Sequence, residues 1–364
     1  MILIRADGNS IIGAGHIMRC LSIADAFCDA EEDVLFVLAD ETFQDVIRER
    51  GFRVHVLHTD YRAAEEETDL LIPLLLENPV TCFLADSYYV TEAYLGRIRE
   101  YTKVVYLDDL GETAWPVDVL VNYNISASPT AYASLYSGAD REDTALLLGC
   151  SYTPLRREFQ NIPAGKKQDG KRIFVSSGGA DPEHVELRLL QWLVRHPDTF
   201  PGYEFCFVVG AVNPDYAQIL SLSKDMNRVT IYRNVSRMQE LMSGCAIAVS
   251  AAGSTLYELC ACGLPILTYI TADNQIPAEK AFVEAGIAWS AGDVRTEEDF
   301  VETLFQSLDR LLKAAKQREE MSDQAITLVD GKGAARIVKG IMDGIHGEST
   351  GKKEKSVGGD HTSV

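Results

Sequence analysis

The stretch MILIRADGNSIIGAGHIMRCLSIADAFC, residues 1–28, decides the fold class. Ile2–Arg5 is a short run with the composition of a strand. Ile17, Leu21, Ala24 and Cys28 form one apolar stripe at helical spacing. Between them lies a loop with Gly13 and Gly15, and the helix is expected to begin near His16. Strand, glycine-bearing turn and helix together make the repeating unit of a parallel α/β sheet.

The unit recurs along the chain. Val34–Ala39, Phe52–Leu57, Thr81–Asp86, Val104–Asp108 and Val117–Asn122 read as strands in the first half. Arg172–Ser177, Glu204–Val209, Arg228–Tyr232, Ala246–Ala251 and Pro265–Tyr269 read as strands in the second. Helical patterns separate them, and polar GCSYTPLRREFQNIPAGKKQDGK, residues 149–171, divides the two series. The expected organisation is a Rossmann-like domain over residues 1–150, a linker over 151–171 and a second Rossmann-like domain over 172–342. Their mostly parallel sheets would face a central cleft. An amphipathic helix near Ala334–Met342 closes the second domain, and the Gly-, Lys- and Ser-rich tail 343–364 is expected to be disordered.

The chain has 364 residues, 46% of them apolar and 24% charged, an ordinary composition for soluble globular domains. Its formal net charge of −20 opposes encounter with nucleic acid or anionic lipid. No apolar run approaches the roughly 20 residues that span a bilayer, and the N-terminus enters a strand directly, so a cytoplasmic protein is expected. The eight cysteines include no zinc-finger spacing; Cys82, Cys206, Cys245 and Cys260 fall in apolar segments and read as reduced, buried residues. Oligomeric state is left open.

Three loops carry the candidate chemistry. In the first, Gly13 and Gly15 let an oxygen-rich ligand approach free N–H groups ahead of a helix. The spacing is not G-x-G-x-x-G, because Met18 and Arg19 stand where the third glycine would fall, which disfavours a dinucleotide cofactor. In the second, SSGGADPEH, Gly178 and Gly179 open the backbone, while Asp181 before Pro182 reads as a cap and first helical position. In the third, SAAGSTLYELCACGLP, Gly253, Ser254 and Thr255 precede a helix whose dipole favours a diphosphate, and Glu258 could receive ribose hydroxyls. LADSYY sets Asp86, Ser87 and Tyr88 at a strand's C-terminal end, where open α/β sheets bind ligands. Asp108 and Asp109 are adjacent carboxylates, but successive strand residues point to opposite faces, so no metal site is expected. Asn274 and Gln275 in YITADNQ could reach sugar hydroxyls or cap a helix.

Read together, RADGNSIIGAGHIMRCLSIAD, LADSYY, LDD, YTPLRREF, SSGGAD, AAGSTLYELCACGLP and ADNQ resemble the UDP-2,4-diacetamido-2,4,6-trideoxy-β-L-altropyranose hydrolase family of pseudaminic acid biosynthesis. These segments run in order from residue 5 to residue 275. The resemblance implies a GT-B-like fold, a UDP-sugar substrate and no cofactor. It implies His16 as the base that activates water, Tyr88 as a second polar residue near the sugar, and Asn274 as a sugar contact. Residues 253–258 would hold the diphosphate and ribose. Two other readings remain open: a GT-B transferase with a UDP-amino sugar donor, and a non-catalytic UDP-sugar sensor.

Overall fold

Continuous burial along β1 (Ile2–Ala6) is the mark of a central parallel strand, and every residue from Ile2 to Ala6 is shielded from solvent. The computed structural model describes residues 1–9, 12–137, 141, 143–162 and 170–346. After β1 come α1 (Gly15–Asp29), β2 (Val34–Leu38), α2 (Gln44–Glu49) and β3 (Arg53–Val56). Then follow α3 (Ala64–Glu77), β4 (Cys82–Asp86), α4 (Glu92–Arg99) and β5 (Lys103–Leu107). The series ends with β6 (Val119–Asn122), α5 (Pro129–Tyr136) and β7 (Ala145–Leu148). These seven strands pair in the order β3-β2-β1-β4-β5-β6-β7, all parallel.

The second series opens with β8 (Arg172–Ser176), α6 (Val185–Arg195), β9 (Glu204–Val208), α7 (Tyr216–Ser223) and β10 (Val229–Tyr232). It continues through α8 (Met238–Ser243), β11 (Ile247–Ala251), α9 (Thr255–Ala261), β12 (Ile266–Ile270) and α10 (Ile276–Glu284). β13 (Ala288–Asp293), α11 (Phe300–Lys313), α12 (Ala315–Leu328) and α13 (Gly333–His346) complete it. Its six strands run β10-β9-β8-β11-β12-β13, again all parallel. The fold is therefore two Rossmann-like domains, as expected.

In both sheets the chain reverses direction beside the first strand, between β1 and β4 and between β8 and β11. Crevices at the carboxyl ends of such strands are where α/β sheets bind ligands. β7 and β13 were not anticipated. They are edge strands; β7 is a four-residue apolar run, Ala145–Leu148, too short for periodicity to separate from a helical segment, and β13 carries a mixed, only partly buried sequence.

Three expectations are corrected. Helix α13 was assigned to the second domain, but Ala334, Ile337, Val338 and Ile341 pack in the core of the first sheet beside Ile17, Leu21 and Ala24 of α1. Its amphipathic stripe had to be buried somewhere, and the stripe alone does not name the partner. Residues 343–346, expected in the tail, are the last turn of that helix; the tail from 347 lies outside the described residues. Within the expected linker, Leu155 and Phe159 are buried, so its described part packs against the body; 163–169 lie outside the described residues. All eight cysteines are free, and every one but Cys28 is buried.

Candidate functional site

The first loop reverses direction through Gly13, whose N–H returns to the Asn9 carbonyl at 2.8 Å and whose φ of +79° favours glycine. Helix α1 then begins at Gly15, with no side chain capping it among the described residues. Its first-turn N–H groups have no partner within the helix. Gly15 has open space where a Cβ would stand.

His16, one residue into α1, is buried and faces the end of β4. Its Nδ1 lies 2.6 Å from Asp86 Oδ1. One helical turn on, Arg19 brings its Nε to Asp86 Oδ2 at 2.7 Å and its two terminal nitrogens to the Asp109 carboxylate at 2.9 Å each. The spacing i, i+3 places His16 and Arg19 on one helix face. Both converge on the same oxygen of Asp86, which is why Arg19 Nη2 also stands 2.9 Å from His16 Nδ1. Arg19 further donates to the Tyr123 hydroxyl at 2.8 Å. Tyr88 donates its hydroxyl to Asp109 Oδ2 at 2.9 Å and meets His16 edge-on, ring centres 4.7 Å apart.

The electrostatics follow from this packing. Burial pushes the Asp86 carboxyl up, but the Arg19 guanidinium, and after it His16, outweigh burial and hold it well below the usual carboxylate range. An ionised Asp86 accepts the Nδ1 proton of His16, which leaves Nε2 as the ring's acceptor. Burial and then the Asp109 charge push the Tyr88 phenol up, so it stays a neutral donor. Burial likewise lifts Tyr123 to about 12, against the pull of Arg19. With His16 neutral, Arg19, Asp86 and Asp109 sum to one negative charge; a proton taken by His16 brings the cluster to neutrality.

Asp108 and Asp109 do diverge. Asp108 accepts the N–H groups of Leu110 and Gly111 and the Tyr132 hydroxyl at 2.7 Å, while Asp109 faces Arg19 and Tyr88. Among the described residues no group of three or more His, Cys, Asp or Glu side chains could hold a metal ion.

In the second domain, the loop after β11 leads to α9, whose start at Ser254 and Thr255 carries no side-chain cap, and Gly253 has open space at its Cβ position. Glu258 does not stand free: its Oε1 receives Arg156 Nη2 at 3.0 Å from the connecting segment. Burial raises the Glu258 carboxyl despite Arg156. After β8, Gly178 turns with φ +85° and Gly179 is held by Gly210, where a Cβ would come within 2.0 Å of the Gly179 carbonyl. Here the helix start is corrected. Pro182 is not its first residue; α6 begins at Val185, and Asp181 reaches forward to accept the N–H groups of Val185 and Glu186, both at 2.9 Å. That carboxylate occupies the N-terminal end of α6. Glu186, buried and pushed up to about 8 by its burial, accepts the Ser177 N–H at 2.9 Å. Gln275 turns inward, its Oε1 accepting the Thr271 N–H at 2.9 Å, so it closes its own loop; Asn274 is exposed.

The structure thus unites His16 and Tyr88 with Asp86, Arg19, Asp109 and Tyr123. Of these, Arg19 and Tyr123 were not singled out from sequence, Asp86 was named only as lying at a strand end, and Asp109 was considered only as part of a carboxylate pair not expected to bind metal. The i, i+3 pair in HIMR was the available signal for Arg19. Gly253, Ser254, Thr255 and Glu258 share α9 and its approach, which follow β11, the strand between β8, which leads to Gly179, and β12, which leads to Asn274.

Residues 186–341 match the glycosyltransferase family 28 C-terminal domain. An uncharacterized protein of Methanocaldococcus jannaschii is 23% identical over 282 residues, 73% of this chain and 54% of its own, so the chain spans about half that relative's length. The spore coat polysaccharide biosynthesis protein SpsG of Bacillus subtilis is 22% identical over 346 residues, 93% of this chain and 96% of its own. The UDP-2,4-diacetamido-2,4,6-trideoxy-β-L-altropyranose hydrolase of Campylobacter jejuni is 23% identical over 259 residues, 71% of this chain and 86% of its own. Among solved structures, MurG of Acinetobacter baumannii superposes with a TM-score of 0.66 at 13% identity, covering 94% of this chain and 99% of its own. The MnaA–UDP structure from S. aureus gives 0.65 at 12%, covering 94% and 96%. The chain has the GT-B fold, and most of its second half matches a glycosyltransferase family 28 C-terminal domain.

Proposed function

We propose that this protein hydrolyses a UDP-linked 2,4-diacetamido-2,4,6-trideoxyhexose at the anomeric carbon, with His16 as the base. The observation that carries the reading is the Asp86–His16 pair at the β1/β4 reversal, 2.6 Å apart and braced by Arg19. It supplies an oriented imidazole with Nε2 as its acceptor. The hydrolase relative adds the substrate class, with 23% identity over 71% of this chain.

In this reading a water oxygen bonds to the anomeric carbon as the bond to the diphosphate oxygen breaks. The bonding pair leaves with UDP, and the water proton passes to His16 Nε2. The negative cluster stabilises the imidazolium that forms. The N–H groups of Ser254 and Thr255 face the developing charge on the diphosphate, the kind of prepared electrostatic stabilisation that dominates many such reactions. Asn274 contacts the sugar, Glu258 the ribose, and Gly13, Gly15 and Gly179 line the backbone approach. Attack opposite the leaving group inverts the centre.

The family 28 match over residues 186–341 favours a second reading, transfer of the sugar to an acceptor. Incubating the purified protein with the UDP-sugar in the absence of any acceptor separates them. Stoichiometric UDP and free sugar support hydrolysis, UDP release only with an added acceptor supports transfer, and binding without turnover supports a sensor.

A further inference from the structure

The base cluster belongs to the first domain, yet one helix of the second domain touches it twice. Tyr257, on α9, sets its ring edge-on to Tyr123, centres 5.7 Å apart. Tyr123 in turn carries the hydroxyl that receives Arg19. The Tyr257 hydroxyl also accepts the Ile125 N–H at 3.1 Å and donates to Asn124 Oδ1 at 3.4 Å. Asn124 passes its amide to the Asp109 carboxylate and carbonyl, both at 3.4 Å. From α9, therefore, one path runs through Tyr123 to Arg19 and Asp86, and another through Asn124 to Asp109.

Tyr123 and Tyr257 are both buried, and burial is the leading reason each phenol stays protonated. As neutral hydroxyls with fixed partners they hold direction better than exposed side chains. Arg19 is where the two paths meet, since it bridges Asp86 to Asp109 and fixes the oxygen that orients His16.

We propose that Tyr257 and Tyr123 are positioning residues through which occupation of the α9 nucleotide seat sets the geometry of the His16 base. The inference rests on the reading that α9 binds the UDP diphosphate.

Two conservative variants isolate the paths in the full-length protein. Tyr123→Phe keeps the ring against Tyr257 and removes only the hydroxyl on Arg19. Tyr257→Phe keeps the ring and removes the hydroxyl on Ile125 and Asn124. The probe is UDP itself. In nitrogen-labelled wild type, UDP should move the His16 ring resonances, assigned by their loss in His16→Ala, and each variant should at least halve that movement while binding UDP within about twofold of wild type. With the UDP-sugar, Tyr123→Phe should lower kcat at least about tenfold, leave KM nearly unchanged and move the pH of half-maximal turnover. A purely structural role would lower thermal stability without moving that pH. UDP-induced shifts and pH profiles equal to wild type in both variants would overturn the proposal while leaving the hydrolase reading intact if His16→Ala is inactive. Relayed shifts without any turnover would instead sink the hydrolase reading alone.

Discussion

Replacing Asp86 by Asn tests whether orientation of His16 is what the cluster provides. Asp86 is fully buried and accepts four donors: His16 Nδ1, Arg19 Nε and Nη2, and the Cys20 thiol at 3.3 Å. An amide of the same size has one acceptor oxygen, so in either orientation its NH2 faces a donor. If the oxygen turns to Arg19, His16 loses its Nδ1 acceptor and with it the tautomer that leaves Nε2 free. If it turns to His16, the negative charge that stabilises the imidazolium is gone. Loss of general-base function costs about 10²–10⁴ in rate, or about 2.7–5.4 kcal/mol of barrier. The same substitution in the Ser-His-Asp template costs roughly 10⁴.

The stability cost is smaller, about 1–3 kcal/mol for hydrogen bonds to a charged group, because Arg19 keeps Asp109 at 2.9 Å. Its pH dependence has a definite sign. The folded-state carboxyl of Asp86 titrates below its unfolded value, so its contribution is complete above about pH 4 and fades as pH falls further. Wild type and Asp86→Asn should differ in denaturant midpoint at pH 7, and the difference should narrow steadily as pH falls below about 4. Turnover is followed by UDP release under saturating UDP-sugar. A folded Asp86→Asn protein with kcat within about threefold of wild type would mean that Asp86 does not set the orientation or charge of His16 in turnover.

Glu258→Ala should weaken UDP binding by about 1–3 kcal/mol in calorimetry, the scale of a charged hydrogen bond; unchanged affinity removes Glu258 from the nucleotide seat. Full activity should survive exhaustive chelation, because Asp108 and Asp109 are already engaged by protein donors; loss in EDTA with recovery on Mg²⁺ would contradict this. The Glu186 carboxyl, pushed up to about 8 by burial, keeps its proton in the folded state well above the pH where an unfolded chain loses it. Folding stability should therefore fall as pH rises from about 4.5 to 8, and Glu186→Gln should flatten that slope; parallel pH–stability curves would dismiss the assignment.

What could be read from the chain was local. The β1 run and the α1 stripe announced the repeating unit, and the glycine-bearing turns at Gly13, Gly178 and Gly253 lie where the fold puts crevices. The network around His16 was not legible, because Asp86 ends β4 while Asp109 and Tyr123 follow β5 and β6. Their nearness to α1 depends on strand order, which periodicity does not encode. Asp181 was rightly read as a cap but its helix was placed too early. Positive φ at Asp181 and at His184 folds the chain back, so the carboxylate caps amides four and five residues on. Glu258 and Gln275 were read as ligand groups in isolation, whereas each has a protein partner that only the tertiary structure brings near.

In the proposed reaction water, activated by His16, attacks the anomeric carbon and not phosphorus. Turnover of the UDP-2,4-diacetamido-2,4,6-trideoxyhexose in ¹⁸O-water, with the mass of the released UDP as readout, tests it most directly. Carbon–oxygen cleavage predicts unlabelled UDP from the wild-type protein and no measurable release from His16→Ala. Labelled UDP would place the attack at phosphorus and contradict the account, as would wild-type rates of release from a folded His16→Ala protein.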